Sequence, residues 1–538
     1  MKTRIHIDSK VSLTIATTVV AWGAATADNI CRPNIVLFMV DDMGWQDTSV
    51  PFWTKRTPLN ATYETPNMER LAAQGMLFTQ AYASPISSPS RCSLLTGSNA
   101  ARHHVTNWTF RCNQMTDGAD DQLSPPDWNY NGICQSDGVP NTFVAKSFVT
   151  ILHEAGYYTI HCGKAHWGAQ GTPGERPEHF GFDVNIAGHA AGGPATYLSE
   201  HNYGYDADGR AASQFAVPGL QKYWGTGTFL TEALTQEALA ILDSLISPLH
   251  PMLSTLGDPS APNLHHSSLP HHPSFFLYLS HYAVHIPIDR DIRFYEKYRH
   301  KGLSEKEAAY ASLIEGMDKS LGDVLDWLDQ HGETDNTIVL FMSDNGGYAT
   351  GAQWRDEPLY TQNAPLRSGK GSLLEGGIRE PMIVRWPGVV ACGSRCDNYL
   401  LIEDFFPTIL EMAGIKHYKI PQKVDGRSFV PLLRGTGNPS RRRALIWNYP
   451  HVWGNTGPGI DMNCAIRQDD WKLIYYYKTG KKELYDVHHD ISEEHDLAAQ
   501  HPQLVHRLSR LLGKRLRALH AQRPTQTATG QPCSWPDE

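Results

Sequence analysis

The chain has 538 residues, more than one hydrophobic core usually holds, so more than one domain is expected. Its composition is that of a globular protein, with 41% hydrophobic, 19% charged and 10% aromatic residues. A net charge of −9 and the absence of a long basic stripe in the sequence argue against nucleic acid as a partner.

The N-terminus has the pattern of a secretory signal peptide over residues 1–27. Lys2, Arg4 and Lys10 form a basic start, an apolar run covers 11–22, and small residues at 25–27 offer a cleavage site. The run is short and rich in Thr for a membrane span, and an unprocessed disordered leader is the alternative. We therefore expect an exported protein that does not span the membrane.

The first predicted strand of the mature chain is the apolar run 34–40, which ends in Asp41 and Asp42. Such a continuous run is typical of a buried parallel strand, with functional residues at its carboxyl end. Both aspartates can converge only if the strand ends there, and Gly44 permits that turn. A helix is predicted over 66–73, with Gly75 as its stop.

The segment 87–97 reads Ser-Ser-Pro-Ser-Arg-Cys-Ser-Leu-Leu-Thr-Gly and is the most specific motif of the chain. Pro89 suits the first turn of a helix, and Gly97 can close it. Ser87 would lie just before that N-terminus, where free N–H groups favour an anion, and Arg91 adds further donors. The alternative is a solvated loop with an arginine cap.

Helices and strands alternate further along the chain. Helices are predicted near 148–155, 230–245 and 304–330, and strands near 157–162, 275–279 and 337–342. This alternation favours an α/β sheet covered on both faces, with ligands beyond the carboxyl ends of its strands. Polar clusters follow three of these strands, at Asp41-Asp42, at 281–285 and at Asp344-Asn345.

Four oxygen-bearing residues at two of these strand ends suit a hard divalent cation: Asp41, Asp42, Asp344 and Asn345. An Asp-Asp pair alone more often marks a cap or turn. The second cluster, with Gly346 and Gly347 behind it, favours a metal site instead.

Two lysines and two histidines are further candidates for the site. Alternation in an extended chain would place Lys164 and His166 on one side, although a surface pair is the alternative. His285 follows an aromatic strand. Lys370 lies in a glycine-rich segment, 363–379, whose backbone can approach the site closely; a flexible surface loop is the alternative.

The pattern changes after residue 415. Residues 416–522 predict a smaller α+β domain, with strands within 465–477 and 483–486 and a helix near 502–520, and 523–538 reads as a tail. Insertions at 102–145 and 247–273 interrupt the larger domain, and the second carries His265, His266, His271 and His272, which favour an exposed loop over a metal site. Cys112 with Cys134 and Cys392 with Cys396 are plausible disulfides, with free thiols as the alternative.

The signature, the strand-end clusters and the Lys370 segment occur in this order in the type I sulfatases, which the chain resembles over residues 33–490. The resemblance implies an alkaline-phosphatase-like mixed sheet sandwiched by helices, a catalytic domain at 28–415, and a C-terminal antiparallel sheet plus helix. It also implies that Ser87 is oxidised to Cα-formylglycine. The family more often has Cys there; Ser-type members are mostly bacterial and need a dedicated maturase, so the periplasm or cell exterior is expected.

The resemblance also implies residue roles. Asp41, Asp42, Asp344, Asn345 and the modified side chain at 87 would hold Ca²⁺, and Arg91 would stabilise the aldehyde hydrate. Lys164 and Lys370 would clamp the sulfate. One hydroxyl of the hydrate would attack sulfur, His285 would protonate the leaving alcohol, and His166 would deprotonate the second hydroxyl to expel sulfate.

The substrate implied by the resemblance is a sulfated polysaccharide or oligosaccharide, with a galactose-type 4-O-sulfate as one candidate. His104, Trp108 and His189 are candidate sugar contacts, since a sugar needs a stacking ring and polar partners, and loop packing is the alternative for each. Two other functions remain open. One is a phosphohydrolase of the alkaline phosphatase superfamily, and the other is a non-catalytic protein that binds sulfated glycans with an unmodified Ser87.

Overall fold

The computed structural model describes residues 32–247 and 272–538. The predicted signal peptide and His265, His266 and His271 lie outside these residues. Arg32–Glu538 cluster as one compact unit, so the domain boundary near residue 415 stays a prediction. No helix in the described part of the chain is long and apolar enough to cross a membrane.

The strands, in chain order, are β1 (Asn34–Val40), β2 (Met76–Tyr82), β3 (Leu123–Ser124), β4 (Ile133–Cys134), β5 (Phe143–Val144), β6 (Tyr158–Gly163), β7 (Val184–Ile186), β8 (Phe275–Ser280), β9 (Thr337–Ser343), β10 (Arg379–Arg385), β11 (Ser394–Cys396), β12 (Leu400–Leu401), β13 (Ala444–Tyr449), β14 (Asn463–Gln468), β15 (Trp471–Tyr476), β16 (Lys482–Asp486) and β17 (Thr525–Gln526).

The α-helices, in chain order, are α1 (Pro58–Thr62), α2 (Pro66–Gln74), α3 (Ser87–Thr96), α4 (Ala100–His103), α5 (Phe148–Glu154), α6 (Leu230–Ile246), α7 (Tyr295–His300), α8 (Glu305–Gln330), α9 (Glu375–Ile378), α10 (Phe405–Met412), α11 (Val430–Leu433) and α12 (Pro502–Ala518). Short 3₁₀ helices cover Pro173–Glu175, Pro177–Phe180, Ser199–Gly204, Gln221–Tyr223, Thr334–Asn336 and Ile402–Asp404.

The described residues contribute nine strands to the central sheet, in the order β11-β2-β10-β9-β1-β8-β6-β7, with β12 also paired to β2. β1 lies between its parallel partners β8 and β9, and β6 and β7 continue the parallel part. β10 runs antiparallel to both β9 and β2. The mixed sheet predicted for the fold class is confirmed.

The sheet is buried on both faces because alternate side chains of its central strand enter different cores. Val36, Phe38 and Val40 join the core formed with α2, α6 and α8. Ile35, Leu37 and Met39 join the core formed with α3, α5 and α10. The continuous apolar run of β1 therefore reflects burial on both sides, as the sequence predicts.

The C-terminal sheet is an antiparallel meander of β13, β14, β15 and β16. One face packs on α12 through residues such as Leu512 and Leu516. Its other face, which includes Trp447 and Ile474, packs on Leu373 and Leu374 of the segment that carries Lys370. The predicted antiparallel sheet plus helix is confirmed, and this sheet supports one side of the site.

Two expectations differ from the structure. Residues 523–538, predicted as a tail, pack on the protein: β17 pairs with β3, and Cys533 and Trp535 are buried, which removes their apolar surface from water. The eight cysteines of the described residues are all free, including Cys112, Cys134, Cys392 and Cys396, so neither predicted disulfide is formed.

Candidate active site

The register of the central sheet brings Asp41 and Asp344 to the same edge. Val40 of β1 pairs with Ser343 of β9, and the Asp344 N–H donates to the Val40 carbonyl at 3.1 Å. Asp41 and Asp344 therefore follow paired residues at the carboxyl ends of neighbouring parallel strands. This is the edge at which the sequence predicts a ligand site.

Asp41 and Asp42 converge because Asp42 leaves the extended conformation. Its φ of 59° is left-handed, a region that aspartate tolerates better than most residues. A turn begins at Gly44, as predicted, because the Asp47 N–H donates to the Gly44 carbonyl at 3.0 Å. Gly44 also permits a close approach, because an added Cβ there would lie 2.6 Å from Asp47 Oδ2.

The predicted oxygen ligands form one fully buried cluster. Carboxylate oxygens of Asp41, Asp42 and Asp344 all lie within 4.8 Å of one another. Asn345 Nδ2 donates to Asp42 Oδ1 at 2.7 Å, and Asn345 Oδ1 lies 3.1 Å from Ser87 Oγ. Ser87 Oγ also lies 3.3 Å from Asp41 Oδ1. The structure thus brings together all five predicted metal-binding residues.

Ser87 is the first residue of α3, whereas the sequence predicts a helix from Ser90 onward with Ser87 just before it. Its side chain is 2% exposed. Gly97 closes the helix in the left-handed conformation, with φ of 69°, as predicted. The N-terminus of α3 lies beside the carboxylates, because Ser87 Oγ is 3.3 Å from Asp41 Oδ1.

Three cations neutralise the three carboxylates. Lys164 Nζ donates to Asp41 Oδ2 at 2.6 Å and to Ser87 Oγ at 2.9 Å. Lys370 Nζ donates to Asp42 Oδ2 at 2.8 Å. Arg91 Nε donates to Asp344 Oδ2 at 2.8 Å. Each of the three cationic residues predicted for the site reaches it.

Burial and these contacts perturb the pKa of each group in the cluster. Burial raises the pKa of Asp41 to about 8 against the opposing charge of Lys164, and burial lowers the pKa of Lys164 to about 8. For Asp42, burial raises the pKa, but Lys370 and His285 outweigh it and hold it below its ordinary value. Burial likewise opposes ionisation of Asp344, yet Arg91 and the lysines lower its pKa.

One buried donor of Arg91, Nη2, has an ion-pair contact but no hydrogen-bond partner among the described residues. Arg91 Nη1 donates to Ser280 Oγ at 2.6 Å, at the end of β8. Its Nη2 lies 2.8 Å from Asp344 Oδ2 but makes no hydrogen bond of acceptable direction, and it lies 3.9 Å from Asp41 Oδ1. A buried donor aimed between these carboxylates is available to another oxygen atom at this position.

His166 reaches the cavity in a conformation that the sequence did not predict. Its φ of 62° breaks the extended chain that alternation with Lys164 requires. Its Nε2 lies 3.0 Å from the Thr109 carbonyl, so Nε2 carries the proton and the buried Nδ1 is left as a free acceptor. Burial and the cationic neighbours hold the pKa of His166 well below its ordinary value.

His285 faces Asp42 across the cavity. Its Nδ1 lies 2.7 Å from the Ile286 carbonyl and therefore carries a proton, and its Nε2 lies 3.7 Å from Asp42 Oδ2. Burial and the charge of Lys370 lower the pKa of His285 to about 3. The imidazole is neutral at physiological pH, with Nε2 open to the cavity.

A cavity of about 250 Å³ opens over Ser87. Predicted residues that line it are Ser87, Trp108, His166, His285 and Lys370. Residues that sequence reasoning missed also line it: Ile86, Gly192, Gly193, Phe215, Ile286, Tyr348, Trp453 and Asn455. The aromatic members give the cavity two apolar walls.

The Gly192-Gly193 pair was the one local signal for this missed part of the lining. A Cβ added at Gly192 would overlap the His166 ring, and one at Gly193 would lie 2.6 Å from His285 Nδ1. The glycines therefore let the backbone close over both histidines. The aromatic wall residues come from separate loops, and no local pattern marks them.

The three predicted sugar contacts have different outcomes. Trp108 lines the cavity. His104 does not; its Nε2 lies 2.7 Å from the His520 carbonyl, where it joins α4 to the C-terminal segment. His189 is also outside the lining, with its ring 6.3 Å from that of Tyr282.

Comparison with known proteins identifies relatives along most of the chain. The family model described as Sulfatase matches residues 33–415, and one described as N-sulphoglucosamine sulphohydrolase, C-terminal, matches 369–522. A protein named sulfatase from Formosa agariphila is 29% identical, covering 88% of this chain and 85% of its own. Mouse N-acetylgalactosamine-6-sulfatase is 30% identical, and the match covers 82% of this chain and 77% of the mouse protein.

A solved structure is similar in fold over nearly the full length. The crystal structure of Ps i-CgsB in complex with k-i-k-neocarrahexaose matches with a TM-score of 0.66 and 25% sequence identity. The match covers 90% of this chain and 93% of that one. The fold and the family therefore agree over both the central and the C-terminal sheets.

Proposed function

The chain belongs to the sulfatase family, and on that premise we propose that it hydrolyses sulfate esters of carbohydrates in the cavity over Ser87. One observation carries the proposal. The Ser87 hydroxyl lies beside three carboxylates, an amide oxygen and Lys164, all buried beneath a cavity open to a ligand. An anionic ester bound in this cavity would lie beside both the Lys164 ammonium and the reacting side chain at position 87.

The residues present fit a divalent cation. The donor set consists of oxygen atoms alone, from Asp41, Asp42, Asp344, Asn345 and the side chain at 87, which suits Ca²⁺ or Mg²⁺. Formally, the three carboxylates balance Arg91, Lys164 and Lys370, so a bound divalent cation leaves the site positive, as an anionic substrate needs. We propose Ca²⁺, because it accepts more protein oxygens and less regular geometry than Mg²⁺.

We propose that Ser87 is converted to formylglycine by a serine-type maturase. Arg91 Nη2, which makes no hydrogen bond among the described residues, and the Lys164 ammonium offer donors for the extra oxygen that a hydrated aldehyde carries. When present, the cation would polarise a sulfate oxygen and the hydrate would supply the nucleophilic hydroxyl.

The remaining side chains would bind substrate and move protons. Lys164 and Lys370 would shift part of their bonding from Asp41 and Asp42 to sulfate oxygens. A bound anionic ester would raise the pKa of His285, so that His285 Nε2 would take a proton from water and pass it to the leaving alcohol. His166 Nδ1, a free acceptor, would take a proton from a hydroxyl at position 87.

A carbohydrate is the proposed substrate because the cavity combines aromatic walls with polar ends. Phe215 stacks on Phe110 at 5.1 Å beside Trp108, and Tyr348 lies 6.5 Å from Trp453 on the other wall. The relative named N-acetylgalactosamine-6-sulfatase and the solved structure in complex with k-i-k-neocarrahexaose support a sulfated galactose-type sugar. A 4-O-sulfate, and export to the periplasm or cell exterior, remain parts of this proposal.

The test uses protein produced together with a serine-type maturase. We expect the Ser87 peptide to lose about 2 Da by oxidation, and the protein to release inorganic sulfate from members of a panel of sulfated mono- and oligosaccharides. Ser87→Ala produced in the same way is the control and should release none.

Two results would contradict the proposal. Turnover of an aryl phosphate in preference to every sulfated substrate would indicate a phosphohydrolase. An intact Ser87 hydroxyl in protein from its native host, together with tight binding of a sulfated glycan, would indicate a binding protein without catalysis.

A further inference from the structure

A second cavity, of about 370 Å³, lies outside the catalytic cavity. Five segments line it: 99–102 with α4, residues 401–403, the loop 423–427, the start of β13 with the residues before it, and the end of α12. Ser87, at the first residue of α3, lines the catalytic cavity, and Asn99 lies three residues beyond the helix end at Thr96. Since a ten-residue helix is about 15 Å long, a sulfate held at position 87 does not reach this second cavity.

The lining of this cavity is strongly basic. Seven of its residues carry a positive charge: Arg102, Lys423, Arg427, Arg441, Arg442, Arg443 and Arg515. Only Glu403 and Asp425 among its residues are acidic. For a chain whose net charge is −9, this is a pronounced local concentration of positive charge.

Most of these cations have no acidic partner. Arg102 binds Asp425 at 2.6 and 2.8 Å, and Arg443 binds Asp404 at 2.6 Å. In residues 32–247 and 272–538, no ion pair involves the remaining five: Lys423, Arg427, Arg441, Arg442 and Arg515. All five are exposed and can rearrange around a ligand.

The acidic residues do not cancel this charge. Asp425 is engaged by Arg102, and Glu403 is 3% exposed and accepts from Asn99 Nδ2 at 3.0 Å. Burial, with Asp404 nearby, raises the pKa of Glu403 and so weakens its negative charge, and Arg443 Nη2 lies 4.0 Å from Glu403 Oε1. The cavity keeps an excess of guanidinium groups, which bind tetrahedral oxyanions through paired N–H donors.

We propose that this basic cavity binds a sulfate group on a second part of the sulfated glycan whose ester is hydrolysed at position 87. The glycan as the source of the sulfate rests on the proposed function. The site selects long substrates, because a sulfated monosaccharide fills the catalytic cavity alone while a longer chain places a distant sulfate among the free arginines. Free sulfate has the same oxyanion chemistry, and the experiment below distinguishes it from the glycan as the ligand.

The test compares Arg441→Gln/Arg442→Gln/Arg515→Gln with the unaltered protein. The control Lys55→Gln/Arg56→Gln/Lys319→Gln removes the same charge from exposed side chains elsewhere. Binding is measured on unmatured protein, which cannot turn substrate over, with a long sulfated galactan oligosaccharide, its desulfated form and inorganic sulfate. We expect the cavity variant to bind the sulfated oligosaccharide about tenfold more weakly, and the control variant to bind it as the unaltered protein does.

With matured protein, we expect the cavity variant to raise KM for the oligosaccharide about tenfold without changing kcat, and to leave KM for a sulfated monosaccharide unchanged. Equal oligosaccharide binding by the cavity variant and the unaltered protein would overturn the proposal. Loss of inorganic sulfate binding alone would also overturn it, in favour of a free-anion site. Suppose that the unmatured protein binds the oligosaccharide, that the cavity variant does not, and that the matured protein turns over no sulfated substrate. This result would refute the proposed function but support the binding site. If the triple variant is unfolded by circular dichroism, Arg515→Gln alone replaces it.

Discussion

At the residue scale, the site depends on side chains whose backbone conformation or burial is unusual. Asp42 and His166 both have positive φ, and in these conformations Asp42 joins the carboxylate cluster and His166 lines the cavity. Non-glycine residues in this region cost of order 1 kcal/mol, and such strain persists only where the surroundings fix it. Here the ion pair with Lys370 and the bond to Thr109 fix them.

A first prediction concerns the proton donor. We expect His285→Gln to lower kcat for a sugar sulfate by about 10²–10⁴-fold, the range for loss of a positioned acid. The kcat for an aryl sulfate should fall far less, because a phenolate leaves without a proton. His153→Gln, half-exposed on α5, is the control and should change neither rate. Equal losses on both substrates would assign His285 a role in binding instead.

A second prediction concerns Glu380, a fully buried residue of β10 whose carboxyl oxygens have no hydrogen-bond partner among residues 32–247 and 272–538. Burial raises its pKa well above the ordinary 4.5. Above pH 4.5 the unfolded chain releases a proton that the folded chain keeps. The free energy of unfolding therefore falls by up to about 1.4 kcal/mol per pH unit between pH 4.5 and the raised pKa.

Glu380→Gln removes this titration. We therefore expect the variant to have a higher Tm than the native protein, with a gap that widens between pH 5 and pH 8. Thermal unfolding at several pH values measures the gap, and Glu296→Gln, on the exposed side of α7, is the control. A gap that stays constant across this range would mean that Glu380 ionises normally in the folded state.

At the element scale, the segment that carries Lys370 is held by a buried ionic network. Lys472 of β15 lies 3.0 Å from Glu375 and 2.9 Å from Glu493, and all three side chains are inaccessible. Tyr82 Oη donates to Glu375 Oε2 at 2.6 Å. The C-terminal sheet thus fixes the glycine-rich segment at α9, five residues beyond Lys370.

A third prediction follows from this network. Lys472→Met leaves two buried carboxylates without their shared cation, which should lower the free energy of unfolding by about 3–5 kcal/mol. Lys481→Met breaks an exposed pair with Glu483 and should cost less than about 1 kcal/mol. Denaturant unfolding of both variants measures the difference, and equal losses would show that the network contributes no more than a surface pair.

At the scale of the whole molecule, the buried carboxylate cluster lies where the central sheet and the C-terminal part of the chain meet. Asp41 and Asp344 come from the sheet, whereas Lys370 comes from the segment packed under β13–β16. A cation bound by the cluster is therefore expected to stabilise the fold as well as the site.

A fourth prediction concerns removal of that cation. We expect a chelator to abolish turnover and to lower Tm by a few degrees, because binding at a hundred times Kd contributes about 2.7 kcal/mol. Added Ca²⁺ should restore both, more fully than Mg²⁺. The Tm of Asp344→Asn should change neither with the chelator nor with added Ca²⁺. If the chelator leaves the Tm of the unaltered protein unchanged, the cluster holds no metal.

The sequence determined most of the elements and the central chemistry. The apolar runs at β1, β8 and β9 and the long helix α8 were predicted within a few residues, since strong periodicity and burial on both faces are local properties. The cluster of Asp41, Asp42, Ser87, Asp344 and Asn345 was also predicted, because a motif and polar strand ends fix which residues share one edge of a parallel sheet.

The tertiary structure alone decided the walls of the catalytic cavity and the second, basic cavity. Tyr348, Trp453 and Phe215 come from loops far apart in sequence, as do Arg102, Arg441 and Arg515. It also placed His104 and His189 away from the cavity and turned Asp42 and His166 out of the extended conformation. A sequence records periodicity and composition within a segment, whereas contacts between distant segments depend on how all the packed surfaces fit together.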